Sequence, residues 1–201
     1  MGTIILTSTG LSNDRIADYF LSVVGERRNN SAVAIITTAA EGKEKNKYAQ
    51  LAKSQFVEAG FVKIDFIDIE TEPQTKFDKY QVVYVCGGNT FKLLDCTNRA
   101  NFKEKINEFL SKGGYYIGVS AGSIIMSPTI NTANEIDPDP NTIGIKNLKA
   151  LGIISFDIVP HYTNNIELQV KAFENKYNVK VKRITDNQAL VITNGTYVLI
   201  K

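Results

Sequence analysis

The sequence has little of what metal-binding or disulfide-bonded proteins need. Its two cysteines, Cys86 and Cys96, match no zinc-binding spacing and are too few for a disulfide scaffold. We therefore expect no metal site and a reducing, cytoplasmic location. Histidine occurs once, as His161. Any chemistry that needs an imidazole base thus has a single candidate.

Long apolar runs and blocks of one charge sign are also missing. No run approaches the roughly 20 residues of a membrane-spanning helix, and the start of the chain has neither a basic leader nor a signal-peptide core. The 23 basic and 21 acidic residues, which leave a net charge of +2, are spread along the whole chain. We expect neither a membrane nor a nucleic acid as a partner.

Short β-branched segments alternate along the chain with segments of helical periodicity. Strands are predicted at residues 3–8, 32–38, 62–69, 81–86, 115–119, 153–159, 179–184, 189–193 and 197–200. Helices are predicted from a Ser12 cap to Val24 and at residues 41–59, 91–94, 102–110, 121–126 and 167–177. This alternation predicts one α/β domain over residues 1–201, a three-layer sandwich around a mostly parallel sheet.

Two further segments stand out from this alternation. Asn194-Gly195 lies between the last two strands and predicts an antiparallel hairpin at the C-terminal end. Residues 127–149 are rich in Asn, Pro, Thr and Asp and are predicted to form a long loop, of a length that is more often functional than accidental.

The motif Gly118-Val119-Ser120-Ala121-Gly122 falls where a predicted strand passes into a predicted helix. A bare Gly-x-Ser-x-Gly match arises by chance in roughly one chain of this length in ten to twenty. Its position between strand and helix favours a nucleophile elbow, in which the serine has a strained backbone that only small neighbours tolerate. We expect the Ser120 hydroxyl to stand clear of this turn.

A serine hydroxyl needs a base, which is usually an imidazole. His161 follows the predicted strand at 153–159, so we expect it at the sheet edge where Ser120 also lies. A carboxylate must then orient the histidine, and the residues alone do not select one. The candidates are Glu135, Asp137, Asp139, Asp157 and Asp186.

Gly87-Gly88 ends the predicted strand at 81–86. A backbone N–H can approach a substrate oxygen there without an intervening Cβ, and together with the Ala121 N–H it would form an oxyanion hole. Cys86 has no basic neighbour to lower its pKa and is interpreted as a buried strand residue.

Four blocks of the sequence resemble the peptidase E and cyanophycinase family of serine peptidases. They are residues 86–94 (CGGNTFKLL), 118–122 (GVSAG), 128–135 (PTI, then NE) and 160–164 (PHYTN). The resemblance implies a flavodoxin-like sheet related to class I glutamine amidotransferases, with serine replacing their elbow cysteine. It also implies roles for individual residues: nucleophile Ser120, base His161, third triad member Glu135, oxyanion donors Gly88 and Ala121, and substrate contacts Asn89 and Thr90.

We therefore expect a serine exopeptidase that hydrolyses short peptides through an acyl-enzyme, without a cofactor, as a monomer or homodimer. The aspartyl dipeptidases of this family carry an arginine after the histidine block, whereas residues 165–173 contain none and Lys171 is the nearby cation. A preference for N-terminal aspartate is thus left open. An amidase or isopeptidase on another substrate, or a binding protein without activity on the same fold, are the alternatives.

Overall fold

The computed structural model describes residues 2–25 and 31–201. Its strands are β1 Thr3–Thr7, β2 Ala32–Ile36, β3 Lys63–Ile67, β4 Val82–Val85, β5 Tyr115–Val119, β6 Asp157–Val159, β7 Val181–Arg183, β8 Ala189–Thr193 and β9 Thr196–Ile200. Its α-helices are α1 Asp14–Val24, α2 Lys47–Glu58, α3 Thr90–Arg99, α4 Phe102–Ser111, α5 Ala121–Ile124, α6 Thr132–Glu135 and α7 Glu167–Tyr177. Two 3₁₀ turns cover Lys43–Lys45 and Asn164–Ile166.

Seven of the described strands form the central sheet, in the order β3-β2-β4-β5-β1-β8-β9. The strands from β3 to β1 are parallel, whereas β8 runs antiparallel to β1 and β9 antiparallel to β8. The remaining strands, β6 and β7, pair in parallel as a separate small sheet. The carboxyl ends of β1, β4 and β5 therefore meet at one edge of the central sheet.

The inner strands β1, β2 and β4 of the sheet are buried on both faces. Along β1, Ile4 and Leu6 pack into the apolar cluster that contains α3, α4 and α5, while Ile5 packs into the cluster that contains α1 and α2. This alternation follows from the two-residue period of a strand. The predicted α/β sandwich with a mostly parallel sheet is confirmed, and so is the C-terminal hairpin, where Asn194 and Gly195 both have positive φ.

Three local predictions were wrong. Asn13, not Ser12, caps α1, because its side chain accepts the N–H groups of Arg15 and Ile16. The predicted loop at 127–149 contains the helix α6, and the strand predicted at 153–159 begins only at Asp157. Short elements of this kind depend on tertiary contacts more than on local propensity.

The buried Ser123 side chain ties the carboxyl ends of β1 and β5 together. Its oxygen lies 2.8 Å from the Thr7 carbonyl oxygen and 2.9 Å from the Gly118 carbonyl oxygen, and it accepts the Thr7 N–H at 3.0 Å. Ser127 is equally buried, but its hydroxyl has no partner within the described residues. The two serines differ in bonding and not in burial.

We expect Ser123→Ala to lower the free energy of unfolding by about 1–3 kcal/mol, because the Thr7 N–H loses its acceptor in a buried position. Ser127→Ala is the matched control and should not lower that free energy, because no hydrogen bond is lost and a buried hydroxyl without a partner is removed. Urea denaturation of both variants measures the difference. Equal destabilisation by the two substitutions would contradict this account.

Candidate active site

Ser120 lies in the turn between β5 and α5 with φ 50° and ψ −111°. Residues other than glycine rarely adopt this conformation, and it costs roughly 1–3 kcal/mol. The Ser120 N–H donates to the Thr7 carbonyl oxygen at 3.0 Å, and the Ser120 carbonyl accepts the Ser123 and Ile124 N–H groups. The predicted strained turn from strand to helix is therefore present.

The glycines of the motif allow backbones to touch at this turn. A Cβ on Gly122 would lie 2.3 Å from the Val85 carbonyl oxygen, and one on Gly118 would lie 2.4 Å from the Gly122 carbonyl oxygen. Real Cβ contacts are never this short, so the start of α5 can press against the end of β4 only with glycine here. The residue that follows β4 is similarly close, because a Cβ on Gly87 would be only 3.1 Å from the Ser120 Cβ.

Two backbone N–H groups near Ser120 are suited to hold a negatively charged oxygen. Gly88 has φ 134° and lines a pocket together with Ser120. Ala121 is the first residue of α5, so its N–H has no carbonyl partner within the helix. The sequence analysis predicts these two N–H groups as oxyanion donors, and that role stays a prediction.

His161 lies two residues after β6, and a hydrogen bond to the residue that follows β1 holds its backbone in place. The His161 N–H donates to the Ser8 hydroxyl oxygen at 2.9 Å. The same hydroxyl lies 3.1 Å from the Ile184 and 3.2 Å from the Thr185 carbonyl oxygen, beyond the end of β7. Ser8, which the sequence analysis did not single out, thus joins the segments that follow β1, β6 and β7.

Asp186 contacts the histidine ring, with its Oδ1 2.7 Å from His161 Nδ1. The contact arises because β6 and β7 are neighbouring parallel strands, whose carboxyl ends place the residues that follow them side by side. A carboxylate at Nδ1 favours the tautomer with its proton on that nitrogen, which leaves Nε2 able to accept a proton.

Glu135 is not the carboxylate at His161. It lies in α6, where both of its oxygens are 2.9 Å from Lys176 Nζ and one also contacts the Tyr177 hydroxyl. Burial raises the pKa of the Glu135 carboxyl, but these hydrogen bonds outweigh burial and its net pKa is lowered. The contacts thus correct the expectation, implied by the resemblance, that Glu135 orients the histidine.

None of the hydrogen bonds between described residues joins the remaining acidic candidates to the ring. Asp157, the first residue of β6, is buried beside Thr129, and burial raises the pKa of its carboxyl. Asp137 and Asp139 line a small pocket next to Ser120. Of the five candidates, Asp186 is the one whose carboxylate bonds to His161.

Asn89 and Thr90, which are expected to contact substrate, differ in whether they line a pocket. The Asn89 side chain accepts the Lys92 N–H as the cap of α3 and donates to the Pro140 carbonyl oxygen. Its role in the structure is therefore to hold α3 and the 140 region together. Thr90 is buried and lines the small pocket beside Ser120.

Two pockets meet at Ser120. The large pocket has a volume of about 740 Å³ and contains His161 and Asp186, with Tyr48, Leu51 and Tyr84 among its aromatic and apolar lining. The small pocket has a volume of about 40 Å³. Among the residues that the structure describes, none that lines either pocket is Lys or Arg. Cys86 also lines the large pocket, but burial raises the pKa of its thiol to about 12, so it is not a thiolate.

Within residues 2–25 and 31–201, no group of three or more His, Cys, Asp or Glu side chains could hold a metal ion. None of the helices there has both the length and the apolar character needed to span a membrane.

Comparison with known proteins supports the resemblance seen in the sequence. Peptidase family S51 matches residues 4–200. An uncharacterised peptidase of Pasteurella multocida is 31% identical over 191 residues, which cover 92% of this chain and 91% of that protein. Peptidase E of a Nostoc species is 31% identical over 134 residues, 67% of this chain and 53% of that protein.

Solved structures agree with the sequence matches. A crystal structure of a Listeria monocytogenes protein assigned to peptidase E superposes with a TM-score of 0.81 at 26% identity, covering 100% of this chain and 98% of that one. A peptidase from an acI-B1 actinobacterium, 20% identical, has the same fold with a TM-score of 0.71 and coverage of 100% and 87%. The chain therefore belongs to peptidase family S51 and is a serine peptidase that acts on peptides.

Proposed function

We propose that the protein hydrolyses short peptides through an acyl-enzyme on Ser120, with His161 as the general base and Asp186 as the residue that positions it. One observation carries the proposal: Ser120 shares a pocket with His161, whose Nδ1 lies 2.7 Å from Asp186 Oδ1. Nucleophile, base and orienting carboxylate are the three parts that activate a serine hydroxyl.

The reaction follows from these positions. Ser120 Oγ attacks the peptide carbonyl carbon while His161 Nε2 takes its proton, and Asp186 stabilises the resulting imidazolium. The carbonyl oxygen becomes negatively charged and is held by the Gly88 and Ala121 N–H groups, each typically worth about 3 kcal/mol in the transition state. His161 then protonates the leaving amine, and a water molecule hydrolyses the acyl-enzyme.

The pocket lining supports substrates with neutral side chains over those with acidic ones. A buried carboxylate needs a cation or several hydrogen-bond donors, and no described Lys or Arg lines either pocket. Tyr48, Leu51 and Tyr84 offer apolar surface to the peptide instead. The volume of about 740 Å³ is within the usual range for pockets that bind small ligands.

Ser120 should be the residue that a fluorophosphonate labels, because such reagents phosphonylate activated serines with loss of fluoride. We expect labelling in the wild type, its loss in Ser120→Ala, and at least about a 100-fold slower rate in His161→Ala, where the base is gone. Mass spectrometry of tryptic peptides locates the label. Ser127→Ala is the control and should be labelled at the wild-type rate. An unlabelled Ser120 in the folded wild type would overturn the proposal.

The positioning carboxylate can be identified by comparing two isosteric substitutions. Asp186→Asn should lower kcat/KM by about 10²- to 10⁴-fold, because the amide favours the wrong imidazole tautomer. Glu135→Gln should lower it by less than about tenfold, because it weakens only a half-exposed pairing with Lys176. Peptide hydrolysis and the unfolding midpoint are measured for both variants. A large loss in Glu135→Gln with normal turnover in Asp186→Asn would reverse the assignment.

A further inference from the structure

One buried tyrosine differs from the others in its hydrogen bonding. Four tyrosines have an exposed fraction of 7% or less: Tyr80, Tyr84, Tyr115 and Tyr116. Three of them donate the hydroxyl proton to a carboxylate or a backbone carbonyl oxygen at 2.7 Å. Among the residues that the structure describes, the Tyr84 hydroxyl has no such partner. Tyr84 is also the one of the four that lines the large pocket, so its hydroxyl is available to a ligand there.

Tyr84 forms the floor of the large pocket. Its ring packs against the Phe56 ring of α2, with 5.6 Å between the ring centroids. Its hydroxyl oxygen lies against Gly10, where a Cβ would be 2.2 Å away. Cys86 follows two residues later and lines the same pocket, because side chains two positions apart on a strand share one face. A side chain that enters from the edge of the sheet therefore passes Cys86 before it reaches the Tyr84 hydroxyl.

Gln55 of α2 supplies a second polar atom at the same place. Its Nε2 donates to the Leu11 carbonyl oxygen at 3.1 Å, which leaves the amide oxygen Oε1 as an acceptor. No described residue donates to that oxygen, and Gln55 lines the large pocket. Because Leu11 follows Gly10 in the chain, Gln55 and the Tyr84 hydroxyl flank the same two residues. The floor of the pocket thus offers one free hydroxyl and one free amide oxygen.

The position of His161 decides which part of a peptide enters this pocket. The histidine must reach the leaving nitrogen in order to protonate it, and His161 lines the large pocket and not the small one. The leaving nitrogen belongs to the residue after the cleaved bond. The side chain of that leaving residue therefore extends into the large pocket, toward Tyr84 and Gln55.

The groups around the floor select among side chains. The two carboxylates of the pocket, Glu41 and Asp186, belong to exposed residues and lie at its mouth. A charged side chain at the floor would therefore lack a partner of opposite charge, which is costly in a buried position. A carboxamide has two N–H donors and needs more acceptors than the floor offers. A hydroxyl donates one proton and accepts another, and these two needs match Gln55 Oε1 and the Tyr84 hydroxyl.

We propose that the large pocket binds a tyrosine side chain of the leaving residue, whose hydroxyl donates to Gln55 Oε1 and accepts the proton of the Tyr84 hydroxyl. The aromatic ring of that residue lies along the apolar surface that Tyr48 and Leu51 provide. The volume of about 740 Å³ accommodates a side chain of this size. This inference rests on the proposed function and adds to it the residue after the cleaved bond.

Competing dipeptide mixtures test the proposal. One mixture has tyrosine as the leaving residue and the other has phenylalanine, and the first position holds every amino acid except these two. Release of free tyrosine and free phenylalanine is followed by liquid chromatography and mass spectrometry. We expect kcat/KM to be about 10- to 100-fold higher for the tyrosine mixture, because phenylalanine leaves the Tyr84 hydroxyl and Gln55 Oε1 unpaired.

Tyr84→Phe removes the hydroxyl and keeps the ring, so it should lower the ratio of kcat/KM between the two mixtures by at least about tenfold. Gln55→Met, which removes the amide oxygen, should lower the same ratio. Tyr115→Phe is the matched control, because the Tyr115 hydroxyl bonds to the Val23 carbonyl oxygen and Tyr115 lines neither pocket. It should keep the ratio but lower the urea midpoint of unfolding, whereas Tyr84→Phe loses no internal hydrogen bond and should not lower that midpoint.

Calorimetric titration gives a result that does not depend on turnover. L-tyrosinamide and L-phenylalaninamide carry the amine and side chain of a leaving residue without a carboxylate. We expect L-tyrosinamide to bind the wild type at least about tenfold more tightly, and Tyr84→Phe to abolish this difference. Equal or undetectable binding of the two amides, or a preference that survives in Tyr84→Phe, would overturn the tyrosine pocket. Preferential binding of L-tyrosinamide without hydrolysis of either mixture would instead overturn the proposed function and leave the pocket in place.

Discussion

The structure depends on one backbone constraint, the turn at Ser120, where φ is 50° and ψ is −111°. This conformation is unfavourable for serine and persists because its surroundings fix it from several directions. The Ser120 N–H is bound by Thr7, and the Ser123 hydroxyl holds the ends of β1 and β5 together just behind the turn. The strain therefore places one hydroxyl at the carboxyl edge of the sheet.

A second arrangement brings His161 to that edge. The small β6–β7 sheet is separate from the central sheet, and its parallel pairing sets His161 and Asp186 side by side. Arg183 at the end of β7 bonds to Glu167 and Glu174 on α7, which fixes this sheet against its helix. The Ser8 hydroxyl then ties its carboxyl end to β1. His161 is thus positioned by a polar network that reaches the central sheet through Ser8.

The sequence predicts those parts of the site that follow directly from strand ends. Ser120 and Gly88 each end or follow a strand of the central sheet, so chain order and the parallel arrangement were enough to predict them together. The carboxylate could not be selected in this way, because Glu135 and Asp186 both lie in segments that the sequence predicts to be loops. Their difference arises from pairing partners distant in the chain: Lys176 and Tyr177 for Glu135, and the β6–β7 register for Asp186. The strand at Val181–Arg183 pairs in parallel with the strand before His161. This pairing is the feature that favours Asp186.

We propose that Ser120, His161 and the Gly88 segment form one reactive centre. A crystal structure of the enzyme inactivated by a peptidyl phosphonate tests this arrangement most directly. We predict a covalent bond from phosphorus to Ser120 Oγ, with the phosphonyl oxygen about 2.7–3.1 Å from the Gly88 and Ala121 nitrogen atoms, and with His161 Nε2 turned toward the adduct. An adduct on another residue, or a phosphonyl oxygen that faces solvent away from both nitrogen atoms, would contradict the account.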